Sequence, residues 1–419
     1  MRGVKVSKKL TEALRREIYD RIERNTTVTA EGGLSWTTFE FSEYLSILDD
    51  AFEFPNDISS RARHRVTHNG VVAARKKGPL SDETISKEIR RALADYNRKP
   101  ELPHAMWTRI RLTFPVNQRG LKFRVGEASV DISSSLPPYM QLTQSQFAHA
   151  RPLKIKDVPR FGYLIVRSCG RQVGDAAEDM IDAANLVIAI FNLALRSWNI
   201  FGSEQKPEAT LLMGPYQYIF RDRRSLVEEV CWYNPDFRED FWERSSGDRK
   251  IFRAAKSVRK ALAALERHPL RMPLISTLRA ANEAMESVDS AKRTLRYWTA
   301  LERLFSADGE KVPYDKIVSR ATFLEDDREM ARAKLNRLLS VRNSYVHWGA
   351  SEKGHHQLNQ FAADLIRRFV FYVIFNGDDF LDHRELLEMA DLTSDPSSLA
   401  RRRKAIERRE KLALTNRHR

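Results

Sequence analysis

The sequence predicts an α+β N-terminal region followed by an all-α antiparallel helical bundle. The chain has 419 residues, more than one average domain uses. Segments with the aromatic and β-branched content of strands lie before residue 245, mixed with helical patterns. From residue 248 to about residue 376 the pattern changes to a succession of helices with short breaks, which is typical of a bundle. We therefore expect an α+β region over 1–245, a bundle over 246–380 and a basic helix or disordered tail over 381–419.

The first region combines helical and strand-like patterns. Residues 7–25 have apolar residues four apart, and a cap at Ser81 or Asp82 opens a second helix over 82–97. A longer apolar helix is predicted over 178–198. The predicted strands are 36–41, 107–116, 121–132, 161–166 and 211–220. We expect the turn residues 117–120 to join two of these strands, 107–116 and 121–132, as a hairpin.

Six helices are predicted in the second region. Each shows an amphipathic pattern. Breaks between them fall at His268-Pro269, Asp308-Gly309, Glu325-Asp326 and residues 349–354. Their expected bounds are 248–267, 272–288, 290–306, 312–323, 326–348 and 357–376.

Composition limits the class of protein. The formal charge is +15 and the isoelectric point about 9.8, so the chain attracts polyanions such as nucleic acid. Two cysteines, Cys169 and Cys231, form neither a disulfide framework nor a zinc site by themselves, which favours a reducing, cytoplasmic setting. The N-terminus has no apolar signal segment, and the run 183–195 is too short to span a bilayer. No membrane partner is expected.

One charge interrupts the apolar stripe of helix 326–348. At 100° per residue Arg342 falls in the middle of the stripe, and Asn343 and His347 lie together beside it. The predicted stripe consists of Leu335, Leu338, Leu339, Tyr345 and Val346. Gly349 is a plausible residue to follow the helix end, so His347 is expected near that end.

Helix 290–306 shows the opposite charge in the same setting. Glu302 falls inside a stripe made of Leu295, Trp298, Leu301 and Phe305. Because an unpaired buried charge costs several kcal/mol, we expect Glu302 to pair with Arg342 or His347. A structural salt bridge between two helices is one interpretation. The other is an anion site, since Arg binds phosphate with forked donors and His suits proton transfer near neutral pH.

Two segments resemble the HEPN superfamily, specifically its ApeA-like group. The first is Tyr297-Trp298-Thr299-Ala300-Leu301-Glu302-Arg303-Leu304-Phe305. The second is Leu338-Leu339-Ser340-Val341-Arg342-Asn343-Ser344-Tyr345-Val346-His347, which is similar to the family's Arg-x4-His signature. The resemblance covers about residues 250–380.

The resemblance implies a helical bundle that dimerises and places two motifs across one cleft. Many family members are metal-independent endoribonucleases, so RNA is the implied substrate and neither cofactor nor metal is expected. His347 would take part in proton transfer, Arg342 would bind the phosphate, and Asn343 would orient either of them. Glu302 would hold Arg342 or His347.

Further implications concern substrate contacts and regulation. Trp348 and Tyr345 are candidate RNA-binding residues, Trp348 because an aromatic ring can stack on a base. In similar proteins an N-terminal region such as 1–245 often senses a trigger or docks a target, commonly in defence against phage. Gly349 stands where some small HEPN toxins carry a modified Tyr, which argues against that kind of toxin.

Several other interpretations stay open. A catalytically silent HEPN module that binds RNA or a partner protein is the main alternative. A DNA-binding regulator that uses 7–25 or 82–97 lacks convincing helix-turn-helix spacing. His64 and His68 are four residues apart, but the arginines around them disfavour a metal ion. The pair His355-His356 is expected in an exposed loop.

Overall fold

The chain forms two compact units. The first comprises Met1–Ala105, Arg167–Met180 and Ile219–Val227, and the second comprises Met106–Val166, Ile181–Tyr218 and Glu228–Arg419. The second unit therefore holds residues on both sides of the boundary expected at 245. The computed structural model describes residues 4–37, 41–55, 58, 60–114, 120–141, 161–196, 207–221, 225–233, 248–307, 310–348, 355–392 and 396–417.

Among the described residues, all strands lie before residue 234, where helices also occur, and the regular structure after residue 247 is helical. The strands are β1 Lys5–Val6, β2 Thr26–Val28, β3 Leu34–Trp36, β4 Phe52–Glu53, β5 Leu102–Thr113, β6 Leu121–Val125, β7 Ala128–Ser133, β8 Phe161–Gly170, β9 Tyr216–Arg221 and β10 Ser225–Tyr233. The helices of the first region are α1 Glu12–Arg24, α2 Phe41–Asp49, α3 Ser60–Lys77, α4 Asp82–Arg98 and α5 Val173–Leu195. The later helices are α6 Asp248–Glu266, α7 Arg271–Glu286, α8 Ser290–Phe305, α9 Tyr314–Ala321, α10 Arg328–Trp348, α11 His356–Phe375, α12 His383–Ala390 and α13 Pro396–Arg417. An α+β region followed by a helical region is thus confirmed.

Helix α1 differs from its expected pattern. It starts at Glu12, where the Thr11 side chain caps it by accepting from the Leu14 backbone N–H. Leu14, one of the apolar residues spaced four apart, is 44% exposed, and the buried face centres on Ile18 and Ile22. Helix α4 follows the prediction, because Ser81 caps it and Thr84 completes a capping box.

The main sheet has six strands in the order β10-β9-β5-β8-β7-β6. The hairpin expected between 107–116 and 121–132 is wrong, because β8 and β7 stand between β5 and β6. The segment 121–132 contains its own turn: β6 and β7 pair antiparallel from Leu121↔Ile132 to Val125↔Ala128, and Gly126 takes φ +55° in the turn.

Two other strand predictions were only partly right. The strand expected over 36–41 ends at Trp36, and a helix begins at Phe41. The strand expected over 211–220 starts later, at Tyr216, although Met213 makes an isolated antiparallel bridge with Ile110. The predicted strand 161–166 is confirmed and extends to Gly170.

Helices α6 to α11 agree with their predicted bounds to within a few residues, whereas α12 was not predicted and α13 lies where a basic helix or disordered tail was expected. Helix α8 is central, since α7, α9, α10 and α11 all pack against it. Aromatic contacts close the interior: Phe305 meets Phe369 edge-on with centroids 4.5 Å apart, and Phe323 meets Phe369 at 5.0 Å. None of the helices among the described residues has the length and apolar character that crossing a membrane requires.

A buried ionic cluster lies in the second unit, centred on Glu208. Its carboxylate accepts from Arg293 Nη1 at 3.0 Å, Tyr297 Oη at 2.8 Å and Gln360 Nε2 at 3.2 Å, and Arg196 Nη2 lies 3.5 Å away. The Arg293 side chain has no exposed surface, and that of Glu208 is 8% exposed. Burial, and then the Glu208 carboxylate, raise the pKa of Tyr297 above its usual range, so its hydroxyl keeps the proton that it donates.

The Glu208 cluster generates a stability prediction. We expect Glu208→Gln to cost about 3–5 kcal/mol, because two buried guanidinium groups lose their carboxylate. The urea midpoint measures the loss. Glu407→Gln, at an exposed ion pair with Arg403, is the matched control and should change the midpoint little. Equal midpoints for the two variants would contradict the structural role of Glu208.

A second chain of polar side chains ends at the carboxyl group of Glu286, which makes no ion pair with any described residue. Asn192 donates to Asn282 Oδ1 at 2.8 Å, and Asn282 donates to Glu286 Oε1 at 2.8 Å. The Asn192 side chain also makes two hydrogen bonds with the backbone of Leu211: its Nδ2 donates to the Leu211 carbonyl, and its Oδ1 accepts from the Leu211 N–H. Burial raises the pKa of Glu286 to about 7; the Asn282 hydrogen bond opposes this rise, and the charge of Glu283 adds to it.

The raised pKa of Glu286 predicts a pH-dependent penalty. Because the folded chain holds this proton up to about pH 7, stability falls as pH rises from the ordinary carboxyl range to about 7 and stays lower above it. Glu286→Gln should therefore stabilise the protein at pH 8 by on the order of 2–3 kcal/mol and change little at pH 4. Urea midpoints of variant and wild type at both pH values provide the test, and a difference independent of pH would refute it.

Candidate active site

Helix α8 positions Glu302 at the edge of the interior. Asp289 caps the helix by accepting from the backbone N–H groups of Ala291 at 2.8 Å and Lys292 at 3.0 Å. Trp298 is fully buried, and its indole Nε1 donates to Glu302 Oε1 at 2.7 Å. The Glu302 side chain keeps 31% of its surface exposed. A rigid, buried partner thus fixes a carboxylate that still reaches the surface.

Helix α10 brings Arg342 to this carboxylate. Arg342 Nη2 lies 4.0 Å from Glu302 Oε1, and Arg342 Nη1 donates to Asn343 Oδ1 at 3.0 Å. Of the two expected partners, Glu302 therefore faces Arg342. The Arg342 side chain is 18% exposed, so this ion pair is neither fully buried nor freely solvated.

An aromatic ring that the sequence analysis does not single out completes the cluster. The guanidinium of Arg342 lies over the ring of Tyr314, 5.3 Å from its centroid, and Tyr314 meets Trp298 edge-on at 5.8 Å. Tyr314 is 38% exposed. It stands at the first position of α9, on the same face as Ile317 and Val318, and a helical period alone does not show that this face meets residue 342.

Arg320 holds α9 in place beneath Tyr314. Its guanidinium makes two contacts of 2.8 Å with Asp391 and donates to the Phe305 carbonyl at 2.7 Å. The pKa of Asp391 is lowered, mainly by its hydrogen bonds with Arg320. The pair therefore stays ionised at neutral pH.

The donors of Arg342 are only partly used. Its Nε is buried and has no hydrogen-bond partner among the described residues, whereas Nη1 is held by Asn343. Because Nε is buried, an anion would reach the guanidinium through Nη2, which lies 4.0 Å from Glu302 and makes no hydrogen bond with a described residue.

His347 lies apart from this cluster. Its side chain is exposed, and none of the described residues bonds to its ring. The structure therefore brings Glu302, Arg342 and Asn343 together but does not bring His347 into contact with them within one chain. Tyr345 is half-buried, and the side chain of Trp348 lies outside the described residues, as does Gly349.

The expected apolar stripe of α10 differs from the buried face, and Leu339 and Tyr345 of that stripe are only half-buried. Val346 is 49% exposed, while Val341, which was not assigned to the stripe, is 4% exposed. The buried positions follow Leu335, Leu338 and Val341. The last turn of the helix thus extends past its packing partners, and this leaves the motif after Arg342 open to the surface.

Histidines elsewhere differ from their expected settings. His355 and His356, expected in an exposed loop, are buried with 4% and 8% exposure. His64 Nδ1 lies 2.6 Å from Asp49 Oδ2 and so has a carboxylate partner rather than a second histidine. Among the described residues no group of three His, Cys, Asp or Glu side chains is placed to hold a metal ion.

Comparisons with protein-family models, curated proteins and solved structures find no match to this chain. The HEPN assignment therefore rests on the residues quoted for it and stays a prediction.

The ion pair between Glu302 and Arg342 allows a test of whether it is a structural salt bridge between two helices. We expect Glu302→Gln to cost no more than about 1 kcal/mol, because the pair is 4.0 Å long and partly exposed and Gln can still accept from Trp298. The measurement is the urea midpoint, with Glu208→Gln as the strongly destabilised reference. A loss as large as that of Glu208→Gln would mark the pair as a structural salt bridge between helices.

Proposed function

We propose that this chain is a metal-independent endoribonuclease of the HEPN type that acts as an effector of the abortive-infection kind in defence. The observation that supports it best is the arrangement at Arg342. Its guanidinium is oriented by Glu302, Asn343 and the ring of Tyr314, yet its side chain keeps 18% of its surface exposed and its Nη2 lies 4.0 Å from Glu302, beyond hydrogen-bond distance. Such an oriented, incompletely paired guanidinium suits a phosphodiester better than it suits helix packing.

The reaction is a transesterification within the RNA chain. The 2′-oxygen attacks the adjacent phosphorus, the bond from phosphorus to the 5′-oxygen breaks, and the products are a 2′,3′-cyclic phosphate and a 5′-hydroxyl. His347 transfers the proton that the 2′-hydroxyl loses or the one that the leaving 5′-oxygen gains. Arg342 binds the phosphate and stabilises the charge that builds up on its oxygens.

Glu302 and Asn343 act as positioning residues in this proposal. Glu302 limits the guanidinium of Arg342 to one orientation, and Asn343 binds its other edge. A fixed orientation matters because much of the rate acceleration in such a reaction comes from the geometry of the reacting groups.

The exposed position of His347 favours a site completed by a second copy of the chain. In the proposed homodimer, two copies of α10 face each other, so His347 of each copy approaches the phosphate held by the opposite Arg342. Tyr345 and Trp348, next to His347 on the same helical turn, would contact the RNA. A trigger at the N-terminal region would control the activity.

The second candidate is a catalytically silent HEPN module that binds RNA or a protein. The separation of His347 from the cluster at Arg342 in one chain favours it, since a binding module needs no converging proton-transfer group.

The test is cleavage of a mixed-sequence RNA in EDTA by the purified full chain. Wild type should cut and leave 2′,3′-cyclic phosphate ends, detected by their resistance to phosphatase unless acid opens the ring first. His347→Ala should lose at least about 10²-fold in rate, because the proton-transfer group is gone. Arg342→Ala should lose a similar factor, and Glu302→Gln should lower kcat more than it raises KM.

His68→Ala serves as the matched control, since His68 belongs to the first unit, and it should cleave like wild type. Cleavage by His347→Ala at the wild-type rate would refute the assignment of the site. RNA that stays intact with wild type but binds to it would favour the silent module.

A further inference from the structure

A basic groove lies within the first unit, between α3 and α4, and nothing in the proposed reaction uses it. Its volume is about 430 Å³. The floor is made of small or apolar side chains, Val66, Ala73 and Ala92. Five cationic side chains line it: Arg65, Lys76, Lys77, Arg91 and Lys99.

The two helices that form the groove are held at close range. A Cβ atom on Gly70 would come within 2.5 Å of Ile89 Cγ1 and 2.8 Å of its backbone nitrogen, so the crossing point tolerates only glycine. At one end of the pair, Lys77 Nζ lies 2.6 Å from Glu88 Oε1. The groove walls are therefore two rigid helices rather than loops.

Most of the positive charge in the groove is not neutralised. Of the two acids in the lining, Glu88 binds Lys77, and Asp95 lies 3.5 Å from Arg98 outside the lining. Four groove cations make no ion pair with any described carboxylate: Arg65, Lys76, Arg91 and Lys99. Other arginines nearby are used structurally; Arg75, for example, donates to Thr26 Oγ1 at 2.9 Å.

The unpaired cations follow the length of the helices. Positions 65 and 76 are eleven residues apart on α3, which is about 16 Å along the helix axis. Position 91 lies on α4 and position 99 is the residue that follows its last turn, eight residues later or about 12 Å away. Charges spread over this distance match an extended polyanion better than one phosphate group.

We propose that the groove between α3 and α4 binds the phosphate backbone of single-stranded RNA, apart from the site at Arg342. The choice of RNA over other polyanions rests on the proposed function, whereas the polyanion itself follows from the groove. Contact would be mainly to phosphate and ribose, because five cations line the groove. Tyr96 is buried with its hydroxyl bonded to Asp175, so Asn69 and Gln172 are the uncharged polar side chains of the lining left to contact a base. The role of the groove is to hold a strand while another part of it is cleaved.

The test measures binding separately from cleavage. A fluorescent 20-nucleotide RNA is titrated in EDTA against the full chain with His347→Ala, at several salt concentrations. Adding Lys76→Gln and Lys99→Gln should weaken binding about tenfold and lower the slope of log K against log salt by about 1 to 1.5, since two phosphate contacts are lost. Lys5→Gln with Lys8→Gln is the matched control: both lysines are exposed in the same unit, outside the groove, and the charge change is identical.

The outcomes separate the groove from the active site. If the groove variant and the control bind RNA equally, with equal salt slopes, the groove proposal is overturned even when wild type cleaves RNA. If wild type does not cleave but the groove variant alone loses binding, the groove proposal stands and the proposed nuclease fails. Displacement of the RNA by ATP at the same molar concentration as the RNA would also overturn the groove proposal, because the groove would then be a site for a small phosphorylated ligand.

Discussion

The carboxylate of Glu208 is the constraint on which the helical part of the second unit depends. It is the shared acceptor of side chains that come from the end of α5, from α8 and from α11, so one buried group joins three segments distant in sequence. Two arginines and one glutamate in this cluster are almost without exposed surface. Such a cluster is a poor source of stability compared with apolar packing, but it has few alternative arrangements, which makes it specific for one placement of α8.

The placement of α8 decides the geometry of the candidate site. Arg293 and Tyr297 bind Glu208 in the first half of this helix, and Trp298 and Glu302 follow on the next turn. Because the helix is rigid, fixing its first half fixes where the Glu302 carboxylate emerges. Arg320 does the same for Tyr314 on α9. Arg342 therefore meets a carboxylate and an aromatic ring whose positions are set by ion pairs elsewhere, the buried one at Glu208 and the partly exposed one between Arg320 and Asp391.

The bounds of α6 to α11 could be predicted from the sequence, because most of each helix buries an amphipathic face with a 3.6-residue period; α12 was not predicted. Sequence reasoning failed on the pairing of 107–116 with 121–132, since strand order depends on β8, which the local pattern cannot place. It found the neighbourhood of Glu302 and Arg342 from charges inside apolar stripes. It missed Arg293, which has the same signature on the same helix, because the partner Glu208 lies in a connecting segment without periodicity.

Arg293 and Arg342 show how one sequence signal leads to two outcomes. Both interrupt an apolar stripe. Arg293 has no exposed surface and donates to Glu208 and to the Ser287 carbonyl, so any further ligand would have to displace buried bonds. Arg342 keeps 18% exposure, and its Nη2 lies 4.0 Å from the Glu302 carboxylate, at the limit of ion-pair distance and beyond hydrogen-bond distance. An incoming phosphate would add bonds to Arg342 without breaking buried ones. The difference in pairing, rather than the presence of a charge in the stripe, is the physical reason to place chemistry at residue 342.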